Sequence, residues 1–252
     1  PQQMFGALVK TYWAEKMGID PSKIFSVSIM PCVAKKYEAA RPEMNASGYR
    51  DVDIVLTTRE IGRLFQMSGI DFRKLPPQPF SPWMGEYTGA AVIFGATGGV
   101  MEAALRTVYE VVMQETLDDV NFSVARGFEG IKEAEVDLKG TVVKVAIAHG
   151  LSHARKLMDQ VRAGESPYHF IEIMACPGGC VGGGGQPITK ANVKRIERLD
   201  AIYIEDEAMP IRKSHENAEV KQIYEDFLHE PLGHKSHELL HTHYHAKNKR
   251  FL

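Results

Sequence analysis

Cysteine is scarce in this 252-residue chain: there are three, Cys32, Cys176 and Cys180. An odd number at uneven spacing excludes a disulfide framework and suits a reducing compartment. A dominant charge sign is lacking too. With 30 basic against 32 acidic residues, net -2, no basic excess points to nucleic acid and no acidic excess to a solvating tail. Long apolar runs are missing. The longest, such as residues 90–96, fall far short of the roughly 20 residues of a membrane span, and no charged-then-apolar leader opens the chain. What is present is ordinary globular material, 44% apolar and 25% charged. That excludes a disordered chain and leaves room for one large domain or two modest ones.

Periodicity predicts an alternation of strands and helices. Residues 2–17 carry apolar positions at helical spacing, ended by Gly18. Residues 24–30 read as a buried parallel strand stopped by Pro31, with Cys32 directly after it. Residues 52–56 read as a second strand, running into a helix over 58–67 with Thr57 or Thr58 as N-cap and Glu60 in its first turn. Residues 71–90 hold four prolines and several aromatics, the mark of a long loop. Residues 90–99 read as a strand entering a glycine-rich turn, followed by a helix over 100–114. Short strands are expected over 123–148 around Lys139 and Gly140, then a helix over 151–161 and an apolar strand over 170–174. From residue 188 the chain reads as mostly helical and polar, with helices over 220–228 and 236–242. This pattern predicts α/β architecture with parallel sheets flanked by helices, a helical C-terminal extension, and chemistry at the carboxyl ends of strands. Cys32 and Cys176 both follow such ends.

Two segments carry chemistry. The first, residues 172–187, reads Glu-Ile-Met-Ala-Cys-Pro-Gly-Gly-Cys-Val-Gly-Gly-Gly-Gly-Gln-Pro. Gly178 and Gly179 adopt positive φ at little cost, so the chain turns back and aims both thiols one way. Without Gly-Lys-Ser/Thr it is no phosphate loop, and CxxxC is not zinc spacing. Soft thiolates then favour iron–sulfur chemistry, against the plainer reading of structural cysteines in a flexible loop. The second segment, residues 30–38, places Lys35 three residues after Cys32 and Glu38 three after Lys35, one face of a helical turn. A solvated Lys/Glu pair is the plain reading; a lysine placed to meet an anionic ligand of Cys32's partner group is the specific one.

Together these segments, MPCxxKxxE over 30–38 and ExxACxxGCxxGGGQP over 172–187, resemble the second and third signature motifs of the iron-only (FeFe) hydrogenases. The resemblance extends through PQQMFGALVKTYWA at the start, WMGEYTGAAVIFGATGGVMEAALR in the middle and SHELLHTHY near the end. It implies a catalytic domain over residues 1–187 with its site between two lobes, and a small-subunit-like region over 188–252. It implies an H-cluster: a 4Fe-4S cubane joined to a diiron unit with carbon monoxide, cyanide and a bridging dithiolate. By the same resemblance Cys32, Cys176 and Cys180 are metal ligands, with Cys180 bridging to the diiron unit. Lys35 would donate to cyanide, Glu38 would hold Lys35, and Met30, Met174, Phe94 and Gln2 would line the pocket. Reversible hydrogen oxidation follows, with hydrogen and protons as substrates, a ferredoxin-like electron partner and a reducing, anaerobic cytoplasmic location. The alternatives are a hydrogen sensor, an iron–sulfur assembly relative and an inactive fragment. The family's first cysteine motif has no counterpart here. We therefore expect the C-terminal part of a hydrogenase, or one chain of a split enzyme, with a preceding segment or partner chain supplying the fourth cysteine. His237-Glu238-Leu239-Leu240-His241 matches the zinc-protease pattern HExxH, but the pattern is short and the family's tail carries a similar stretch. A peripheral helix with Leu239 and Leu240 inward is the expectation.

Overall fold

The computed structural model describes residues 1–138, 140–189 and 192–246. Lys139, expected near a strand turn, and residues 247–252 of the C-terminal region lie outside them. The chain forms two compact units: Pro1–Leu75 with Glu219–Leu252, and Pro76–Ala218.

The first unit is built on two parallel strands, β1 (Val27–Met30) and β2 (Ile54–Thr57), in register from Val27 opposite Ile54 to Met30 opposite Thr57. The N-terminal helix runs through Gln2–Leu8, a π-helical turn Val9–Trp13 and Ala14–Met17, and Gly18 closes it at φ 63. Helix Ala34–Ala39 follows β1. Helix Thr58–Met67 follows β2 and opens on a capping box: the Thr57 hydroxyl accepts from the Glu60 N–H, and the Glu60 carboxylate accepts from the Thr57 N–H. Lys10, buried beneath, donates to Arg50 O at 2.6 Å and Asp53 Oδ2 at 2.7 Å. The first unit resumes at Glu219, within helix Ala218–Ile223, and continues through a π-helical turn Tyr224–Leu228 to helix His234–Leu240, which packs on Gln2–Leu8.

The second unit holds a three-stranded sheet in the order β3 (Ile131–Leu138), β4 (Thr141–His149), β5 (Phe170–Met174). β3 runs antiparallel to β4 and β5 parallel to it, so this sheet is mixed. The central run from Val145 to Ala148 is buried throughout, as a strand between two neighbours and under helices should be. Helix Gly99–Met113 covers one face through Met101 and Leu105, and helix Leu151–Ala163 covers the other through Leu157. Helix Val193–Ala208 packs beside Gly89–Ile93.

Two expectations need correction. Residues 90–99 do not start as a strand: Gly89–Ile93 is a short helix, because Thr88 caps it by accepting from the Ala91 N–H at 3.2 Å. Its small residues allow close approach, and a Cβ at Gly89 would lie 2.0 Å from Asp206 Oδ1. Nor is β1 buried. It begins at Val27, three residues later than expected, and Val27 and Ile29 are about half exposed, since β1 pairs only with β2 among the described strands.

Candidate metal-cluster site

Each unit presents one thiol-bearing turn at the carboxyl end of a parallel strand. In the first unit Cys32 lies two residues past β1 and two before helix Ala34–Ala39, half-buried. One turn further, Lys35 Nζ sits 3.2 Å from Glu38 Oε1 and 3.4 Å from Oε2. Glu38 is held in turn. Buried Gln2 donates from Nε2 to Glu38 Oε1 at 3.0 Å, and its own Oε1 accepts from the Ser28 hydroxyl at 2.7 Å. The chain from Ser28 through Gln2 and Glu38 to Lys35 fixes the ammonium beside Cys32's turn. Met30 packs against Ala39, Val52 and Val55, and with Gln2 and Ser28 it also lines an apolar cavity of about 620 Å³.

In the second unit β5 ends at Met174, whose carbonyl accepts from the Gly150 N–H at 2.8 Å. Cys176 and Cys180 follow, both half-buried and in no disulfide. The turn closes as Gly179 N–H donates to Cys176 O at 3.0 Å, and a 3-10 turn Cys180–Gly182 continues it. Two backbone bonds moor it to the glycine-rich segment after Phe94: Thr97 N–H to Gly178 O at 3.0 Å and Val181 N–H to Gly95 O at 3.1 Å. Gly178 and Gly179 stand at φ 78 and 92. A Cβ at Gly178 would lie 2.7 Å from the Phe128 ring, and one at Gly179 would lie 2.7 Å from Thr97 N and 2.8 Å from Met174 Sδ. Only glycine meets both conditions, so the sequence GG between the thiols is a packing requirement as well as a conformational one. Phe94 is half-buried with Ala90, Ile93 and Ala103.

Two residues the sequence reading left without a role support this turn. Buried Glu172 on β5 accepts from Gly98 N–H at 2.6 Å and Met101 N–H at 2.7 Å, so it caps helix Gly99–Met113, whose N-cap Gly98 brings no side chain. Burial pushes its carboxyl upward, and those two amides and Lys132 pull it back. Lys132 on β3 donates to the carbonyls of Thr97, Ala125 and Gly127 at 3.2, 2.8 and 3.1 Å, and burial pushes its ammonium downward. The sequence carries a signal for Glu172: a carboxylate in the middle of the apolar run FIEIM needs a partner if it is buried, and it is the buried residue of that strand.

The thiols of each unit suit iron–sulfur chemistry. Cys32 stands in the short link between β1 and the helix after it, and Cys176 and Cys180 flank a turn whose Gly179 packs against Met174 sulfur and is too crowded to take a side chain. Among the described residues the HExxH pattern gathers no metal site: His237 and Glu238 are exposed on a short helix that turns Leu239 inward, and His241, also exposed, lies just past its end. Among the described residues the one gathered set is Glu110, His215 and Glu216, and there Lys213 already bonds Glu110 at 2.6 Å and Glu216 at 3.0 Å.

A family model described as "Iron only hydrogenase large subunit, C-terminal domain" matches residues 1–184. The chain belongs to the iron-only hydrogenase family. A second, "Iron hydrogenase small subunit", matches residues 192–247. The hydrogenase-family chain is 51% identical over 250 residues to the NADP-reducing hydrogenase subunit HndD of Solidesulfovibrio fructosivorans, covering 99% of this chain and 43% of that one. It is 31% identical over 257 residues to the cytosolic Fe-S cluster assembly factor narfl of Xenopus tropicalis, covering 99% and 53%. The chain thus spans about half the length of the curated relatives it matches. Its fold matches a solved FeFe-hydrogenase, HydA(deltaEFG), at TM-score 0.80 and 42% identity, covering 97% of this chain and 68% of that one. Among the described residues no helix is long and apolar enough to cross a membrane.

Proposed function

We propose that this chain is the part of a hydrogenase that holds the H-cluster and that the complete protein interconverts hydrogen with protons and electrons. Cys32, Cys176 and Cys180 would ligate the cubane, with Cys180 also bridging to the diiron unit, and the fourth thiolate would come from another segment or a partner chain. When bound, that cofactor supplies the metal centre at which hydrogen is split heterolytically. The chain's own residues position it. Lys35 offers an ammonium with three N–H donors. Glu38 engages it from one side, which leaves donors for a cyanide nitrogen. Gln2 and Ser28 hold Glu38, so the charge is pre-aimed. Met30, Met174 and Phe94 supply soft and apolar surface that suits iron carbonyls and excludes water. Electrons would pass to a ferredoxin-like partner.

The Lys35–Glu38–Gln2 chain carries this reading. An iron–sulfur assembly relative needs cluster thiols but has no use for a fixed ammonium beside them. The test is hydrogen evolution from a reduced low-potential dye by the complete protein, with infrared spectra of the same sample. Turnover with carbon monoxide and cyanide bands is expected. A protein that holds a cubane, shows no such bands and turns over no hydrogen would move the chain to the assembly reading.

A further inference from the structure

One peptide bond in the second unit is held at both ends by buried charge. The carbonyl of Thr97 accepts from Lys132 Nζ at 3.2 Å, and the N–H of the same peptide, that of Gly98, donates to Glu172 Oε1 at 2.6 Å. The two charges come from one row of the sheet. Lys132 on β3 is opposite Ile147 on β4, and Ile147 is opposite Glu172 on β5, so all three side chains leave the same face. Ile147 between them is fully buried. Both oxygens of Glu172 and all three donors of Lys132 are engaged by backbone. The three N–H donors of Lys132 go to three carbonyls, and the Glu172 oxygens take Gly98 on one side and Met101 on the other. Gly98 admits no other residue, since a Cβ there would lie 1.8 Å from Ala125 O at φ 91.

The next polar group along the chain leads to the thiols. Thr97 N–H donates to Gly178 O, in the middle of the Cys176–Cys180 turn, and two residues back Gly95 O accepts from Val181 N–H. Thr97 Cα joins the held peptide to the one whose N–H moors the turn, so a displacement of the Thr97–Gly98 peptide that shifts Thr97 Cα moves the mooring. Capping a helix needs only one anion, and a row of two opposite charges aimed at one peptide goes beyond that.

We infer that Lys132 and Glu172 are a positioning pair for the cluster-binding turn: together they lock the Thr97–Gly98 peptide and, through Thr97 and Gly95, the direction in which Cys176 and Cys180 present their sulfurs. This rests on the proposal that the turn holds cluster ligands. Neither residue touches the reacting atoms. Removal of one charge leaves the other buried and uncompensated, whereas removal of both does not.

The test uses the complete protein with Lys132→Met, Glu172→Gln and the double variant. Amide hydrogen exchange and the electron paramagnetic resonance spectrum of the reduced cubane are read on each. At least tenfold faster exchange at Thr97, Gly179 and Val181 is expected in each single variant, with a shifted or broadened cubane signal. The double variant should lie closer to wild type than Lys132→Met does. Glu172→Gln keeps the side-chain volume and decides the matter if Lys132→Met does not fold. Lower melting temperatures with unchanged exchange at these amides and an unchanged cubane line shape would overturn the inference. If the wild-type protein itself takes up no cubane, the cluster reading falls, while the exchange data still decide whether the pair locks the turn.

Discussion

Replacing Gly179 by alanine should separate conformational cost from crowding, because the fold supplies its own control. Gly179 stands at φ 92, ψ -154, a region that is essentially glycine-only and costs another residue about 1–3 kcal/mol. Its added methyl would also sit 2.7 Å from Thr97 N, 2.8 Å from Met174 Sδ and 2.9 Å from Ala96 C. Two of those atoms are backbone and cannot swing away, so overpacking adds roughly 1–3 kcal/mol. Gly164 closes helix Leu151–Ala163 at φ 72, ψ 18, with nothing within 4 Å of a built Cβ. Gly164→Ala therefore carries only the left-handed penalty, about 1–2 kcal/mol. With comparable conformational costs at the two sites, the Gly179 variant is expected to be less stable than the Gly164 variant by the overpacking cost, about 1–3 kcal/mol. In urea unfolding at constant slope this appears as a lower midpoint. At about 1.4 kcal/mol per factor of ten, the opening equilibrium of the second unit rises roughly fivefold to a hundredfold over the control. Equal midpoints for the two variants would refute the claim that the thiol turn is packed against residues 96–97.

Lys35→Met in the complete protein should leave the cubane resonance intact and remove the infrared bands of bound cyanide and carbon monoxide. A charge-assisted hydrogen bond of roughly 1.5–3 kcal/mol decides whether the diiron unit docks, and wild-type bands would contradict the role given to Lys35. Arg106→Leu should destabilise the second unit by about 3–5 kcal/mol. The wholly buried guanidinium binds Asp206 through two bonds of 2.7 and 2.8 Å and Glu102 through one of 2.8 Å. A urea-derived loss below about 1 kcal/mol would mean that Arg126, which bonds Glu102 at 2.7 Å, and Arg212, which bonds Asp206 at 2.6 Å, replace it. Burial alone would raise the Glu110 carboxyl, but Lys213, the Leu117 amide and His215 hold it down to about 2. A depressed carboxyl stabilises the fold fully above its ordinary value of 4.5 and loses that contribution as pH falls toward 2. Glu110→Gln should therefore flatten the dependence of stability on pH between those limits. An unchanged slope would count against the Glu110–Lys213–His215 set.

Local signals found most of the elements. Thr57 with Glu60, Gly18, and the apolar runs before Cys32 and Cys176 each act within one turn or one strand, so they are readable from neighbouring letters. Lys35 and Glu38 are readable for the same reason, being three apart on one helix. Gln2 is different. Its bond to Glu38 spans 36 positions, and only the family resemblance raised it. Lys132 and Glu172 belong to one row of a sheet, and no window along the chain contains both. Residues 90–96 misled because an apolar run with small residues has the same composition in a buried strand and in a tightly packed helix, and Thr88 decides between them. The exposure of β1 follows from its having one neighbour, a property of topology that its own sequence does not carry.

The central claim is that Cys32, Cys176 and Cys180 hold one iron–sulfur cluster. The most direct measurement is an alkylation footprint, read by mass spectrometry, on the complete protein before and after anaerobic loading with iron and sulfide. All three thiols should become protected together, and a strong iron chelator should expose all three again. Alkylation of any one of them at its metal-free rate in the loaded, iron-containing protein would contradict the account.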